Sequence, residues 1–212
     1  MERVICLAIG YVFGLFQTAF IYGKMNHIDI REHGSGNAGT TNALRVLGKK
    51  AGLIVFLGDV FKCFFAVELV RLLFKHTYPD ILPLLSLYAA AGAILGHNFP
   101  FYMGFKGGKG IAASAGLLAS TDWRVMLVCL VVFVAAVAIT RYVSLGSILV
   151  MICFFIGMVF FGARGDFGIA AAHLTEFYVL AGLISAMGIW RHHTNIKRLL
   201  SGTENKLGAR KE

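Results

Sequence analysis

Long apolar runs alternate with short polar loops along this chain of 212 residues. A helix needs about 20 apolar residues to cross a membrane, so each run is a candidate span. The runs are residues 4–22, 51–73, 80–97, 109–120, 122–140, 143–162 and 172–190. The fourth is short and follows a group of glycines. The pattern predicts an all-α membrane protein whose single domain, residues 1–212, is a bundle of seven transmembrane helices.

The positions of the basic residues predict which side of the membrane each loop faces. If all seven runs cross with the N-terminus outside, 14 lysines and arginines lie inside and five outside, with Lys62 within a span. If the fourth run does not cross, the counts become 9 and 10. Cytoplasmic loops are enriched in Lys and Arg, so we expect an extracytoplasmic N-terminus and a cytoplasmic C-terminus. The loops 23–50 and 97–109, the turn near Arg141 and the tail from Arg191 then face the cytoplasm.

The composition agrees with a membrane protein. Hydrophobic residues make up 58% of the chain, the mean hydropathy is +0.73, and 15% of residues are charged, against about a quarter in soluble domains. The net charge of +9 fits basic cytoplasmic loops better than nucleic-acid binding. The first run continues to about Tyr22 without a small-residue cleavage site, so we interpret it as a retained span. The four cysteines lie in apolar runs without a CxxC pair, which predicts neither a zinc site nor a disulfide framework.

The most polar stretch in this apolar chain is residues 34–42, which contains three glycines and five small polar side chains and is followed by Arg45. Glycines let the backbone turn sharply, and successive N–H groups can form an anion-binding nest that hydroxyls and an arginine complete. The stretch also matches GxGxxG, but an apolar span precedes it where a dinucleotide site needs a strand. We interpret it as a phosphate or carboxylate pocket; the alternative is a flexible polar turn.

A second glycine-rich stretch, residues 107–110, opens the fourth run. Its backbone N–H groups and the positive helix end would point in the same direction as Lys109. It is not a Walker loop, because Met103 stands where the first glycine belongs and Gly110 replaces the Ser or Thr after the lysine. The alternative interpretation is a lysine that extends to the membrane interface.

Polar residues also cluster in the turn at 140–147. Arg141 between two spans is either a ligand for an anion or a topology anchor. Ser144 and Ser147 are either ligands or helix caps.

The C-terminal tail contributes a fourth polar cluster. If the last helix continues, His192, Asn195 and Arg198 share one face. A histidine transfers protons near neutral pH, and an amide orients a nucleophile. The alternative is a basic, solvated tail.

Asp59 and Lys62 are three residues apart within the second run. Charges at bilayer depth are costly and tend to pair. A structural ion pair beneath the site is the favoured interpretation, and a direct role in the site is the alternative.

Three of these stretches together resemble the bacterial acyl-phosphate:glycerol-3-phosphate acyltransferases, which are integral membrane enzymes that make lysophosphatidic acid. They are GSGNAGTTNALR (34–45), GHNFPFYMGFKGGKG (96–110) and HTNIKR with GTE (193–204). The turn at 140–147 and the Asp59/Lys62 pair are also similar to the family. The resemblance covers essentially the whole chain, and its departures are conservative, such as Ile111 where valine is usual.

The resemblance implies a transfer of an acyl group from long-chain acyl phosphate to glycerol 3-phosphate, with release of inorganic phosphate. It implies a multi-pass protein of the bacterial inner membrane with a cytoplasmic active site. Its partners would be these two substrates and membrane lipids. We expect a monomer, and we expect no cofactor, no metal and no nucleic acid.

The mechanistic hypothesis assigns the phosphates to Ser35, Arg45, Lys109 and Ser144. His192 and Asn195 would position the attacking hydroxyl, and either His192 or the departing phosphate would take its proton. The other predicted substrate-binding residues are Gly34, Gly36, Asn37, Gly39, Thr41, Asn42, His97, Gly107, Gly108, Gly110, Arg141, Arg198 and Glu204.

Other functions remain as alternatives. Many acyltransferases that use acyl thioesters have a His-x4-Asp dyad, and none of the seven histidines here has an aspartate five positions on. A transporter for a phosphorylated metabolite would also have glycine-broken polar segments, but these polar loops cluster on one side and the two halves show no evident repeat. A purely structural membrane subunit predicts scattered loop chemistry rather than clusters on one face.

Overall fold

The computed structural model describes residues 1–208, and all regular structure within them is helical. The basic residues Arg210 and Lys211, which contribute to the predicted cytoplasmic tail, lie outside the described residues. The α-helices of residues 1–208 are α1 Glu2–Gly14, α2 Thr18–Met25, α3 Thr40–Phe74, α4 Leu82–Asn98, α5 Ile111–Thr121, α6 Trp123–Thr140, α7 Val143–Ala163, α8 Leu174–Trp190 and α9 His193–Leu200. Single 3-10 turns occur at Ile30–Glu32, Pro79–Ile81, Phe101–Met103 and Ala171–His173.

Five helical segments of the described chain are long and apolar enough to cross a membrane. They are Glu2–Met25, Pro79–Met103, Trp123–Thr140, Val143–Ala163 and Ala171–Trp190. Helix α3 is long enough, but Asp59, Lys62 and Glu68 interrupt its apolar run. Helix α5 has 11 residues and extends only about 17 Å. The prediction of an all-α membrane protein is confirmed, whereas the count of seven spans and the orientation of the termini remain predictions.

The first apolar run is divided by a short break. Helix α1 ends at Gly14 and α2 begins at Thr18. The side-chain amide of Gln17, in the break, donates to the carbonyls of Gly14, Gly96 and His97 at 3.1 Å each. The break therefore ties the end of α1 to the end of α4.

Helices α1 and α4 pack at very close range. A Cβ on Gly10 would lie 1.9 Å from the carbonyl oxygen of Ala89, and one on Gly92 would lie 2.1 Å from that of Leu7. Small residues let transmembrane helices approach until their backbones touch. This contact holds α4 against α1 and so positions the start of the loop that follows α4.

Helix α3 begins earlier than the sequence predicts. We expected a loop through residue 50, but a helical segment begins at Thr40 and is separated from the rest of α3 by Gly48, which is non-helical with a φ of 86° and a ψ of −176°. Only glycine adopts this conformation readily. The first part of α3 therefore carries Thr41 and Arg45 on a helix rather than on a loop.

Candidate functional site

A cavity of about 1440 Å³ lies where the predicted polar stretches meet. Its wall includes most of the candidate residues from all four stretches. They are Ser35, Gly36, Asn37, Gly39, Thr41, Asn42, Arg45, His97, Gly107, Lys109, Gly110, Ser144, His192, Asn195, Arg198 and Glu204. Three candidates, Gly34, Gly108 and Arg141, are not part of the wall.

Asn42 organises the first stretch. Its Oδ1 accepts the backbone N–H of Ser35 at 2.8 Å, and its Nδ2 donates to the carbonyls of Ile30 and His33 at 3.0 Å. Gly34 has a φ of 63°, and a Cβ there would lie 2.3 Å from Asn42 Oδ1. Asn42 and Gly34 therefore shape the loop, which leaves the exposed Ser35 hydroxyl at the cavity.

Arg45 extends from the first turns of α3 into the cavity wall. Within residues 1–208 its guanidinium makes no ion pair or side-chain hydrogen bond. A cation at the wall of a cavity and without an acidic partner is suited to binding an anionic group.

The second stretch folds back onto the end of α4. The N–H groups of Gly107 and Gly108 donate to the carbonyls of Asn98 and His97, each at 3.1 Å. The guanidinium of Arg191 donates from Nη2 to the carbonyls of Gly107, at 3.2 Å, and Gly108, at 2.6 Å. Sequence reasoning missed Arg191, which looked like one more basic residue of the tail. Its only sequence signal is its place directly after the last apolar run.

Lys109 lies at the centre of the site, and its ammonium donates a hydrogen bond to Asn195 Oδ1. Burial, with smaller contributions from the nearby cations Arg198, Arg191 and Arg45, lowers the pKa of Lys109 from 10.5 to about 8, against the opposing effect of Glu204. Unlike a surface lysine, this ammonium lies near other cations. A bound anionic ligand would reduce the repulsion between them.

Glu204 connects the tail to helix α7. Its Oε1 accepts the hydroxyl of Ser144 at 3.1 Å and the amide of Asn195 at 2.8 Å, while Oε2 accepts Nε of Arg198 at 2.7 Å. We expected Asn195 to position a hydroxyl. In the structure its side-chain oxygen accepts a hydrogen bond from Lys109, and its side-chain nitrogen donates one to Glu204. Asn195 therefore orients Lys109.

His192 has one ring nitrogen committed to the backbone. Nδ1 lies 2.8 Å from the carbonyl oxygen of Gly188, and because a carbonyl only accepts, Nδ1 bears the proton. Burial is the main reason that the pKa of His192 falls from 6.5 to about 4. At neutral pH His192 is uncharged, with Nε2 as a hydrogen-bond acceptor.

Arg141 holds the tail instead of lining the cavity. It follows α6 with a φ of 62°, and its Nη2 donates to the carbonyl of Leu207 at 2.7 Å. The N–H of Leu207 donates in return to the Arg141 carbonyl at 2.7 Å. The predicted alternatives for Arg141 were an anion ligand and a topology anchor, whereas the contacts found here hold Leu207 of the tail.

The other end of the cavity is apolar and lies between α5, α6 and α7. Its wall contains Ala115, Leu118, Ala119, Met126, Cys129, Leu130, Phe133, Val134 and Val150. From Thr140 at the polar end of α6 back to Met126 is 14 residues, or about 21 Å of helix. The cavity therefore joins a cationic pocket to a long apolar groove.

Comparison with known proteins matches nearly the whole chain. A family model described as glycerol-3-phosphate acyltransferase matches residues 4–202. A protein of that name from Clostridioides difficile is 40% identical over 210 residues, which cover 99% of this chain and 97% of the relative. Another from Chlorobaculum parvum is 42% identical over 219 residues, which cover 95% of this chain and 94% of the relative.

Two crystal structures have the same fold. They are of PlsY (YgiH), an integral membrane glycerol 3-phosphate acyltransferase, in a glycerol 3-phosphate form and a lysophosphatidic acid form. The first is 32% identical with a TM-score of 0.82, and the second is 31% identical with a TM-score of 0.80. Each match covers 98% of this chain and 96% of the other.

Proposed function

Since this chain belongs to the glycerol-3-phosphate acyltransferase family, we propose that it transfers an acyl group from acyl phosphate to glycerol 3-phosphate. The products are lysophosphatidic acid and inorganic phosphate. The observation that supports this most strongly is the single cavity that joins a cationic pocket to an apolar groove. Such a cavity fits a phosphate group at one end and a long acyl chain at the other.

The polar end has the chemistry to hold two phosphate-bearing molecules. Arg45, Lys109 and Arg198 lie in its wall, together with Ser35. Charge-assisted hydrogen bonds to phosphate oxygens are the strong ones, and they also stabilise charge that develops during transfer.

An acyl phosphate donor suits this pocket because its leaving group is itself a phosphate. An acyl phosphate is a mixed anhydride and already activated, so direct attack by the acceptor needs no covalent acyl-enzyme. The hydroxyl oxygen of glycerol 3-phosphate attacks the acyl carbon and forms the ester bond. The bond from the acyl carbon to the bridging phosphate oxygen breaks, and the phosphate departs with the electron pair.

The hydroxyl proton passes to the departing phosphate in this proposal. A histidine whose pKa is about 4 is a weak base near neutral pH, whereas a phosphate with a second pKa of about 6 is a stronger one. His192 instead accepts a hydrogen bond from the attacking hydroxyl at Nε2 and orients it. Lys109, held by Asn195, donates to the departing phosphate and stabilises its charge.

We place the reaction at the cytoplasmic face of the bacterial inner membrane and assign it to a monomer. The basic loops support that side, and the cavity is built from residues of one chain.

The test is product formation by the purified, lipid-reconstituted protein. With palmitoyl phosphate and glycerol 3-phosphate, mass spectrometry should detect 1-palmitoyl glycerol 3-phosphate, and omission of the acceptor should abolish it. Formation of the product from palmitoyl-CoA but not from palmitoyl phosphate would contradict the proposed donor. Uptake of glycerol 3-phosphate into vesicles without any product would favour a transporter.

A further inference from the structure

Three polar side chains form a cluster at the cavity, and two of them, Asp59 and His97, are part of its wall. Lys62 Nζ lies 2.8 Å from Asp59 Oδ1, 2.7 Å from His97 Nδ1 and 2.8 Å from the carbonyl oxygen of Phe16 in the break between α1 and α2. The exposed fractions of these side chains are 4% for Lys62, 1% for Asp59 and 3% for His97. The cluster thus links α3, α4 and the break within the first apolar run.

The contacts of Lys62 determine where the protons lie. Buried charges must be paired. A lysine side chain ordinarily holds its proton far more strongly than a histidine does, so the positive charge of the cluster lies on Lys62, where it is balanced by the carboxylate of Asp59. A charged ammonium has three N–H donors and no acceptor, and all three partners of Lys62 lie within hydrogen-bond distance. His97 Nδ1 must therefore accept, so the ring is neutral and its proton is on Nε2.

The Nε2 edge of His97 faces away from Lys62 and toward the glycine-rich stretch. A Cβ on Gly108 would lie 2.0 Å from His97 Nε2 and 2.9 Å from the carbonyl oxygen of Ala38 in the first stretch. Within residues 1–208 no hydrogen bond to Nε2 is formed, and His97 is part of the cavity wall together with Gly107 and Lys109. An N–H donor without a protein acceptor thus lies at the meeting point of two polar stretches.

We propose that the Asp59–Lys62 pair holds His97 as the Nε2–H tautomer and that this N–H donates a hydrogen bond to an anionic oxygen of a bound phosphate or acyl phosphate group. This proposal rests on the proposed function for the identity of its ligand. Lys62 and Asp59 are positioning residues, whereas His97 contacts the substrate. His97 and His192 are then held in opposite tautomers, one a donor and the other an acceptor.

The tautomer is measured directly on the full chain. Nitrogen-15 NMR of histidine-labelled protein in micelles distinguishes a protonated from an unprotonated ring nitrogen, and His97→Gln identifies the His97 signals by their loss. We expect a protonated Nε2 and an unprotonated Nδ1. A proton on Nδ1, or a doubly protonated ring, would overturn the proposal.

The ligand is tested by titration of the same sample. Inorganic phosphate, glycerol 3-phosphate and a non-hydrolysable acyl phosphonate are added separately. A shift of the Nε2 signal with glycerol 3-phosphate assigns the acceptor's phosphate as its partner, and a shift with the phosphonate alone assigns the donor's. No Nε2 shift with any of the three would overturn the donor role.

Two matched variants separate binding from folding. In His97→Asn the amide oxygen takes the place of Nδ1 as the acceptor for Lys62, but the outer donor is lost. In His97→Gln the amide nitrogen replaces Nε2, and the acceptor for Lys62 is lost. We expect His97→Asn to keep the thermal midpoint of the wild type and to raise KM for a phosphate substrate about 10- to 100-fold, the usual effect of a lost hydrogen bond to a charged group.

A purely structural His97 predicts the reverse pattern. Near-normal KM in His97→Asn with impaired His97→Gln would overturn the proposal. Failure of this proposal can be distinguished from failure of the proposed function. The tautomer of His97 and its response to phosphate can be measured by NMR even if the protein transfers no acyl group.

Discussion

Lys109 donates a hydrogen bond to the side-chain oxygen of Asn195, although the two residues are 86 positions apart in the chain. The same asparagine donates to Glu204, which also accepts from Ser144 and Arg198. The central cation of the site is therefore positioned by the C-terminal tail, and the tail is positioned by α7.

Activity should fall at alkaline pH, because Lys109 loses its positive charge there. Because its pKa is lowered to about 8, the cationic fraction falls as pH rises through that value, and kcat/KM, which reports the free enzyme, should fall with it. We expect a loss of about tenfold per pH unit above the pKa. The measurement is kcat/KM for glycerol 3-phosphate across the alkaline range.

Lys109→Arg provides the control for this pH dependence. Arginine stays charged throughout, so whatever activity this variant retains should not decline over the same range. A wild-type profile that stays flat up to the ordinary range of lysine pKa values would contradict the assignment.

Glu204→Gln should destabilise the site more than its position in a terminal tail suggests. The substitution removes the charge that pairs with Arg198, and the Glu204 side chain is only 6% exposed. A hydrogen bond to a charged group contributes about 1.5–3 kcal/mol, so we expect a lower free energy of unfolding and a fall in kcat. Glu32→Gln, at an exposed position, is the control and should change neither. Equal stability of the two variants would show that Glu204 does not hold the tail.

Gly108→Ala should disrupt the site although Gly108 is outside the cavity wall. A new Cβ would overlap the His97 ring, at 2.0 Å, and the Ala38 carbonyl. The matched control is Gly182→Ala in α8, where the nearest atom would be 3.3 Å away, on Phe155. Thermal unfolding and turnover should both fall in the first variant and stay close to wild type in the second. Normal turnover in Gly108→Ala would mean that His97 and the two stretches are not packed as described.

The seven-span topology predicts opposite sides for two exposed residues. Thr77 lies in the loop between α3 and α4, and Lys106 lies in the loop between α4 and α5. If α4 crosses the membrane with the predicted orientation, Thr77→Cys should react with an impermeant thiol reagent added outside cells, and Lys106→Cys should react only after lysis. Labelling of both residues from the same side would contradict this topology.

Hydropathy was sufficient to predict a membrane protein, because apolar runs long enough to cross a bilayer are visible directly in the sequence. It did not predict the break at Gln17, since the apolar run continues on both sides of that residue. The break depends on a side-chain amide that bonds to carbonyls of α4. Nor did it predict that α3 begins at Thr40, because small polar residues and glycines look like a loop.

The site was predictable where the residue type itself suggested the chemistry. Glycine-rich stretches, Ser35, Arg45 and Lys109 stood out in an apolar chain, and the cavity brings them together. The tertiary partners were not predictable. Asn42 resembles a ligand but organises its own loop, and Arg191 resembles a solvated tail residue but bonds to the glycine stretch.

The measurement that tests the central claim most directly is phosphate release from palmitoyl phosphate by the lipid-reconstituted protein, with and without glycerol 3-phosphate. It compares wild type with Lys109→Ala and with Lys50→Ala, a control that removes an exposed lysine outside the cavity wall. We predict release that requires glycerol 3-phosphate, falls about 100-fold or more in Lys109→Ala and is unchanged in Lys50→Ala. Release that is independent of the acceptor, or is equal in the two variants, would contradict the account.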